Sequence, residues 1–365
     1  MRVLMVSRAR DWLGPPRLAS SLAAAGAGTS FLADEGSMLS RLRHADHRFV
    51  WSAHAARHLQ DLEQAIDIAI PDRLLPADEP AALWLREVHD QADTPTPLRT
   101  LIERSLGNPE HFASCGDKLA VTRLATANHL ATPITQALDK DADAGPFVHR
   151  HGWPVVVKSR RGFAGIGVYP CASLRDLRHA LRNCPRDGGR LIQQFCEGMT
   201  WMTAFVAERG RVLGQLCFAK ERQHPEPIGP STIVRCEVDP EMQGATQSLV
   251  QALGYSGFGS IDYLCSRDGR RLLLEFNPRP VPVCHLGKRL GVDLAAAYVD
   301  GVPRDNAAAC TGTRIALFPQ ELRRDSSGAG LAGCIHDVPH DEPELLAALS
   351  AMLDTDAARR INHTD

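Results

Sequence analysis

The sequence lacks several common signatures, and each missing signature narrows what the protein can do. No apolar run approaches the ~20 consecutive residues that a membrane-spanning helix needs. The G-x-G-x-x-G pattern of a dinucleotide site does not follow the first predicted strand, and the G-x-x-x-x-G-K-[ST] pattern of a P-loop is absent. We therefore expect no membrane association, no Rossmann-type dinucleotide site and no P-loop.

Cysteine usage and charge exclude further classes. The ten cysteines are scattered singly, without a C-x-x-C pair, which argues against zinc sites and for reduced thiols in a cytoplasm. The net charge of −2 gives no electrostatic reason to expect nucleic-acid binding. Residues 1–8 become polar too quickly for a secretory signal and predict a first β-strand.

The length of 365 residues predicts two or three compact units, and 44% hydrophobic residues can fill a large core. Strand and helix patterns alternate in the first unit, which predicts an α/β domain with a parallel sheet. Within it, the apolar pattern of residues 65–71 predicts a buried strand. The predicted units cover residues 1–112, 113–195, 196–302 and a C-terminal extension over 303–365.

A predicted β-hairpin places two acidic side chains next to each other. Residues 259–265 and 271–277 have strand patterns, and Asp268-Gly269 between them predicts a type I′ turn. Counting outward from that turn sets Asp262 opposite Glu275. The face that carries this pair also carries Ser260 and Asn277, and the other face carries Ile261, Tyr263, Leu272, Leu274 and Phe276, which suit a core.

The acidic pair allows two interpretations. Like charges directly opposed on a sheet are destabilising, so something must compensate them. A hard divalent cation held by the carboxylates of Asp262 and Glu275 and the amide oxygen of Asn277 would do so, and Mg²⁺ typically arrives with nucleotide phosphates. Alternatively, the carboxylates lie on a solvated sheet face, or a nearby arginine pairs with one of them.

A glycine-rich loop follows the predicted strand over residues 154–158. Gly162, Gly165 and Gly167 would let backbone N–H groups approach a ligand without interference from a Cβ atom. Lys158, at the end of an apolar strand, either extends to water or points at an anion such as a phosphate. Arg279, between two prolines, would hold a carboxylate or phosphoryl group, or pair with one of the acids.

These segments together resemble the ATP-grasp superfamily. The resemblance covers residues 112–302 well and residues 1–112, as a pre-ATP-grasp domain, more loosely. It implies an α/β and α+β architecture in which a parallel-sheet domain precedes a two-lobed ATP-grasp fold, with the lid within residues 130–195. The matching segments follow the family's order: residues 117–119, 132–133, 157–167, 191–195, 257–262 and 274–279.

The resemblance also implies roles for individual residues. Lys118 and Lys158 would contact ATP phosphates, and the glycine loop would form a mobile lid. The adenine would lie along Gln193, Gln194, Phe195 and Cys196, with hydrogen bonds to the C=O of Gln194 and the N–H of Cys196. Asp262, Glu275 and Asn277 would ligate Mg²⁺, with Mn²⁺ as an alternative, and Arg279 would steady an acyl phosphate or a substrate carboxylate.

The chain departs from the family pattern at some positions. Many members have acidic residues where this chain has Gln193 and, a few residues later, Thr200. Thr200 would then supply a hydroxyl to the ribose, with Glu197 as the weaker alternative. Lys220 and Arg222 would bind the acid substrate or the γ-phosphate, or else belong to a solvated charge cluster.

The resemblance implies a cytoplasmic ligase that activates a carboxylic acid as an acyl phosphate and couples it to an amine or a thiol, releasing ADP and phosphate. The alternatives are an ATP-grasp carboxylase or kinase, a nucleotide-binding protein without turnover, or an α/β protein with accidental motifs. Homodimerisation follows from analogy only. We expect Glu275→Gln to stop Mg²⁺-dependent turnover. The change should preserve or even stabilise the hairpin, because it relieves the repulsion between the two carboxylates.

Overall fold

A computed structural model describes residues 1–162, 165–226, 228–304 and 310–361. Phe163 and Ala164 of the glycine loop and Pro227 of the 219–233 segment lie outside the described residues. No helix in the described ranges is long and apolar enough to cross a membrane.

The first domain is built on a parallel sheet, as the alternating pattern predicts. Its four strands lie in the order β3-β2-β1-β4, and all neighbours are parallel. Its elements are β1 (Arg2–Val6), α1 (Gly14–Ala24), β2 (Gly28–Ala33), β3 (His47–Val50), α2 (His58–Ala69), β4 (Arg73–Pro76), α3 (Glu79–Asp90), α4 (Thr96–Leu106) and α5 (Phe112–Cys115).

The predicted strand over residues 65–71 is wrong, because residues 65–69 complete α2 and Ile70 is its left-handed C-cap. The alternating isoleucines suggest a strand, but burial follows the helical period. Leu62, Ala65 and Ala69 are buried, whereas Ile68 and Ile70 are 49% and 58% exposed. The fourth strand of the sheet is β4, directly after this helix.

A small antiparallel sheet of order β5-β8-β6-β7 forms the next lobe. Ser173 caps the last helix of this lobe, since its hydroxyl accepts a hydrogen bond from the N–H of Asp176. Helix α6 (Lys118–Ala127) leads into this lobe but packs in the core of the large sheet. The elements of the lobe are β5 (Thr135–Ala137), α7 (Ala144–His151), β6 (Val155–Ser159), β7 (Val168–Cys171), α8 (Leu174–Asn183) and β8 (Arg190–Gln194).

A large sheet of order β13-β12-β9-β10-β11-β14-β15 completes the molecule. Its last two strands come from the predicted C-terminal extension, which therefore belongs to the same sheet. The elements are β9 (Gly198–Glu208), β10 (Arg211–Gln223), β11 (Ser231–Glu237), α9 (Pro240–Leu253), β12 (Gly257–Ser266), β13 (Arg271–Asn277), α10 (Leu294–Asp300), β14 (Arg314–Ala316), α11 (Gln320–Arg324), β15 (Ile335–His336) and α12 (Pro343–Ile361).

The β12–β13 hairpin confirms the predicted pairing of Asp262 with Glu275, although its turn differs from the predicted one. Only Gly269 of the Asp268-Gly269 pair has a positive φ, so the turn is not type I′. The turn is one residue longer than expected. A bulge at Leu274 restores the pairing and turns Leu274 from the core to the cleft, while Leu273 packs in the core.

Candidate functional site

A cavity of about 850 Å³ lies between the small and the large sheet. Residues of the first domain and of the C-terminal segment also line it. Its size is typical of a small-molecule site.

Two acidic and two basic side chains pair within this cavity. Glu275 Oε1 lies 2.9 Å from Lys118 Nζ, and Asp262 Oδ1 lies 2.9 Å from Lys220 Nζ. The side chains of Glu275 and Asp262 are 25% and 23% exposed, whereas those of both lysines are 9% exposed. The cleft therefore contains two partly desolvated ion pairs side by side.

These two ion pairs offset the repulsion between the directly opposed carboxylates. In this structure Lys118 and Lys220 compensate the two acids, a pairing that is not among the three predicted alternatives of a metal, a solvated sheet face and a nearby arginine. The described residues contain no group of three or more His, Cys, Asp or Glu side chains in metal-binding proximity. Two carboxylates and the amide oxygen of Asn277, all on the cavity wall, nevertheless form a hard-oxygen donor set that fits Mg²⁺.

Lys158 has a neutral partner instead of an acid. Its Nζ donates to Gln193 Oε1 at 2.7 Å, and Gln193 Nε2 donates to Thr135 Oγ1 at 2.8 Å. Burial lowers the pKa of Lys158 to about 8, with the positive charge of Lys118 acting in the same direction and Glu275 opposing it. An anion at this point would restore the ordinary lysine pKa, so the position favours anion binding.

Lys118 is held in place by the start of α6. Asp117 caps this helix through the N–H groups of Leu119 and Ala120 and also forms an ion pair with Arg160. The N–H of Lys118 donates to the carbonyl of Arg160 at 2.9 Å. The backbone before the glycine loop and the start of α6 are therefore fixed to each other.

The glycine loop lies over the cavity. Gly162 has a φ of +131°, and its carbonyl accepts from Lys118 Nζ at 2.6 Å. Gly165 lines the cavity, and a Cβ atom there would lie 2.2 Å from the carbonyl oxygen of Ile228. Gly167 packs beside Ser159, outside the cavity wall. Only glycine at 165 allows the loop to approach the segment after β10 so closely.

Arg279 is anchored by the first domain. Its Nε lies 3.0 Å from Glu79 Oε2, and the two side chains are 7% and 8% exposed. The guanidinium carbon lies 4.6 Å from the ring centroid of Trp12, and Arg279 Nη2 donates to Asn277 Oδ1 at 3.4 Å. Burial raises the pKa of the Glu79 carboxyl, although the charge of Arg279 opposes this shift.

Most of the predicted site residues lie on the cavity wall, but Gly162, Gly167 and Arg222 do not. A bulge in β10 after Lys220 breaks the alternation there, so Lys220 faces the cavity while Arg222 is exposed elsewhere. This corrects the placement of Arg222 in the site. The predicted residues that line the cavity are Lys118, Lys158, Gly165, Gln193, Gln194, Phe195, Cys196, Thr200, Lys220, Asp262, Glu275, Asn277 and Arg279.

Sequence reasoning missed several groups at the site. Glu79 is distant in sequence from Arg279, and the run Asp78-Glu79-Pro80 that contains it signals only a helix start. Trp12 would be taken for an ordinary loop residue after the first strand. Gln320 and Arg323, which line the cavity from α11, lie in a segment without a motif.

Comparison with known proteins places this geometry in a fold family. No family model matches the sequence. A D-alanine–D-alanine ligase of Thermotoga sp. (strain RQ2) is 31% identical over 143 residues, which cover 35% of this chain and 46% of that protein. A second ligase of this name, from Bordetella petrii, is 26% identical over 217 residues, covering 53% of this chain and 64% of that protein. The chain thus spans about half the length of the curated relatives that it matches.

Solved structures match over more of the chain. The biotin carboxylase domain of 2-oxoglutarate carboxylase from Hydrogenobacter thermophilus, in complex with MgADP and bicarbonate, has a TM-score of 0.64 at 15% identity. The match covers 85% of this chain and 72% of the biotin carboxylase chain. An L-amino acid ligase from Bacillus licheniformis has a TM-score of 0.62 at 15% identity, over 84% and 75%. These proteins are ATP-grasp enzymes, and this chain has the ATP-grasp fold, which confirms the predicted architecture.

Proposed function

We propose that the protein is an ATP-dependent carboxylate–amine ligase whose active site is the cavity between the two sheets. The observation that carries this proposal is the double ion pair of Lys118 with Glu275 and Lys220 with Asp262. A metal-bound triphosphate would satisfy all four groups at once, because the lysines would take phosphate oxygens and the acids would take the metal. The similarity to ligases supports the reaction class.

The nucleotide would occupy the part of the cavity beneath the glycine loop. Apolar side chains there suit an adenine ring, and the chain at the end of β8 brings the backbone of Gln194 and Cys196 to the cavity wall. Lys118 and Lys158 would contact the phosphates, with Thr200 near the ribose. ADP complexes among structures with this fold support nucleotide binding.

Asp262, Glu275 and Asn277 would hold Mg²⁺. A bound Mg²⁺ supplies charge neutralisation at the phosphates and orients them for an in-line displacement. Mn²⁺ offers similar octahedral oxygen coordination and is an alternative.

The side chains of the cavity would carry the reaction by positioning and electrostatics. Lys158 and Lys220 would neutralise charge on the γ-phosphoryl group while the substrate carboxylate attacks it, giving an acyl phosphate and ADP. The amine would then attack the acyl carbon, and Arg279 would stabilise the developing oxyanion before phosphate leaves. The glycine loop would exclude water, which would otherwise hydrolyse the acyl phosphate.

A carboxylase reaction is the second candidate, because the biotin carboxylase domain shares this fold. In that case bicarbonate would take the place of the substrate acid. Kinase activity would stop at the phosphoryl transfer and leave a stable phosphorylated product.

An ADP-release screen of paired acids and amines with Mg-ATP tests the proposal. We expect ADP formation that depends on both substrates, and an acyl phosphate that hydroxylamine traps when the amine is omitted. Glu275→Gln should abolish ADP formation, whereas the matched control Glu241→Gln, on the exposed face of α9, should not affect it. Thermal stabilisation by Mg-ATP without ADP formation from any pair, or ADP formation with bicarbonate alone, would contradict the ligase assignment.

We further propose a cytoplasmic location and a homodimer. The ten cysteines, all of them thiols in the structure, support a reducing compartment. For the dimer, the support is the dimeric biotin carboxylase domain. Light scattering of the purified protein at several concentrations would test the dimer.

A further inference from the structure

A second cluster of chemically active side chains lies at the carboxyl end of the parallel sheet in the first domain. It consists of Arg8, which follows β1, Trp51, which follows β3, His58 at the start of α2 and Trp84 in α3. The direction of winding reverses between β1 and β4, because β2 and β4 lie on opposite sides of β1. Ligands of open α/β sheets bind outside the carboxyl ends of the strands at such a reversal. None of the four residues lies on the cavity wall.

The aromatic rings hold the guanidinium of Arg8 in one place. Its carbon lies 4.8 Å from the ring centroid of Trp84 and 5.3 Å from that of Trp51. The two indole rings meet edge to face at 5.4 Å, and the ring of His58 lies 5.0 Å from that of Trp51. A guanidinium is attracted to the negative face of an aromatic ring, and an indole attracts it most strongly. Arg8 is therefore positioned before a ligand arrives.

Hydrogen bonds fix the backbone around this cluster. The carboxylate of Asp78 is fully buried, and it accepts from the N–H of Arg8 at 2.8 Å and from the hydroxyl of Ser7 at 2.7 Å. Trp51 Nε1 donates to the carbonyl of Ser7 at 2.7 Å. The loop after β1 is thus joined both to the start of α3 and to the loop after β3. Such preorganisation reduces the conformational entropy that is lost when a ligand binds.

No acid in the described part of the chain pairs with Arg8. The hydrogen-bond partner of its side chain is His58, whose Nδ1 lies 3.1 Å from Arg8 Nη1. His58 Nε2 lies 3.0 Å from the carbonyl of Ser52, which can only accept, so the proton of the neutral ring is on Nε2 and Nδ1 accepts from Arg8. Asp61, in the first turn of α2, accepts instead from the N–H and the hydroxyl of Ser52, at 2.8 and 2.7 Å. The partner of the guanidinium is therefore neutral, and its positive charge is left for a ligand.

The side of the guanidinium that His58 does not use is open to a ligand. Arg8 Nε and Nη2 have no partner among the described residues, and neither atom is buried. Together they form a fork that can donate to two oxygens of one carboxylate or phosphate. We infer that Arg8 is the centre of a second ligand site, which binds the oxyanion of a small molecule, a carboxylate or a phosphate, outside the cavity. The site does not depend on which reaction the cavity carries out.

Tryptophan fluorescence tests the site, because an oxyanion on Arg8 would lie beside two indole rings. All proteins in the test carry Trp12→Phe, which removes the tryptophan of the cavity wall as a reporter. Sodium phosphate and sodium acetate are titrated separately, each against sodium chloride of equal ionic strength. We expect a saturating change in emission with a Kd on the order of 1 mM, which about two charge-assisted hydrogen bonds provide. The anion with the lower Kd shows whether the site prefers a phosphate or a carboxylate.

Variants of Arg8 assign the change in emission to this cluster. Arg8→Met should weaken binding at least about tenfold, because the thioether can pack against the rings but carries no charge. Arg8→Gln provides a second uncharged variant if the methionine variant folds poorly. Arg178→Met removes an exposed arginine of α8, in another lobe, and is the matched control that should bind like the wild-type residue.

Lys158→Ala separates this site from the cavity, where phosphate should also bind. The saturating response should persist in Lys158→Ala and be lost in both uncharged variants of Arg8. A response that is lost in Lys158→Ala but kept in the Arg8 variants would place the anion in the cavity and overturn the inference. A response to phosphate and acetate no larger than that to chloride would overturn it as well. Neither result bears on the ligase assignment, which ADP release tests separately.

Discussion

Replacing Glu275 by glutamine should destabilise the nucleotide-free protein. The change removes the partner of Lys118, a cation whose side chain is 9% exposed, and leaves its ammonium with the carbonyl of Gly162. Loss of one partner costs about 3–5 kcal/mol for a fully buried pair and about 0–1 kcal/mol for an exposed one. Glu275 is 25% exposed, so its pair lies between these limits.

Relief of repulsion opposes this cost. Asp262 stands directly opposite Glu275, and such like-charge pairs are destabilising by roughly 0.2–1 kcal/mol. Because Asp262 has its own lysine 2.9 Å away, the repulsion is already reduced. We therefore expect a net loss of about 1–2 kcal/mol in the free energy of unfolding, opposite in sign to the stabilisation that the hairpin alone suggests.

Urea unfolding followed by tryptophan fluorescence measures this loss, and a double-mutant cycle with Lys118→Met isolates the pair. The coupling energy should be about 1–2 kcal/mol and should fall only slightly at high salt, because a half-buried pair is weakly screened. Glu241→Gln is the control on the exposed face of α9. Glu275→Gln protein that is as stable as the wild type, or more stable, would refute the reasoning.

Three further changes test other parts of the site. ATP affinity should fall as the pH rises through about 8, where Lys158 loses its proton. Gln193→Glu should move this fall to higher pH, because a carboxylate beside Lys158 favours the ammonium form. Calorimetric titrations measure the affinity, and an affinity that does not change with pH would contradict the assignment of Lys158 to phosphate binding. Glu79→Gln should lower kcat and the free energy of unfolding, the latter by about 3 kcal/mol, since it leaves the buried guanidinium of Arg279 without its counter-charge. Unchanged kinetics and an unchanged urea midpoint would count against the role of Glu79 in anchoring Arg279. Gly165→Ala should raise the fraction of ATP that is hydrolysed without product, because the added methyl group would lie 2.2 Å from a carbonyl oxygen. Gly145→Ala is the control, since a Cβ atom there meets nothing within 4 Å. An equal ratio of ADP to ligated product in both variants would argue against close contact of the glycine loop with the segment after β10.

Local pattern predicted the parts of the fold that depend on local physics. Helix α9 begins and ends where its apolar period and its Pro and Gly signals indicate. Ser173 caps α8 as expected from its side chain and position. The pairing of Asp262 with Glu275 was predicted by counting outward from a two-residue turn, and it holds because the longer turn and the bulge at Leu274 offset each other.

Long-range contacts could not be predicted in the same way. The pairing of Lys118 with Glu275 and of Arg279 with Glu79 joins residues from different sheets or domains, and no spacing in the sequence records such a contact. The bulge that turns Arg222 out of the cleft is an irregularity of pairing, which the residue types alone do not reveal.

The bulge at Leu274 separates the tip of the hairpin from its acidic base. β12 pairs with β9 without a shift from Gly257 to Ser266, so the neighbouring strand fixes the height of Asp262 independently of the turn. On β13 the bulge lies between Leu273 and Glu275, so the change of register near the turn does not extend to Glu275. Insertions or deletions at the tip can therefore accumulate during evolution while the spacing of the two carboxylates stays constant.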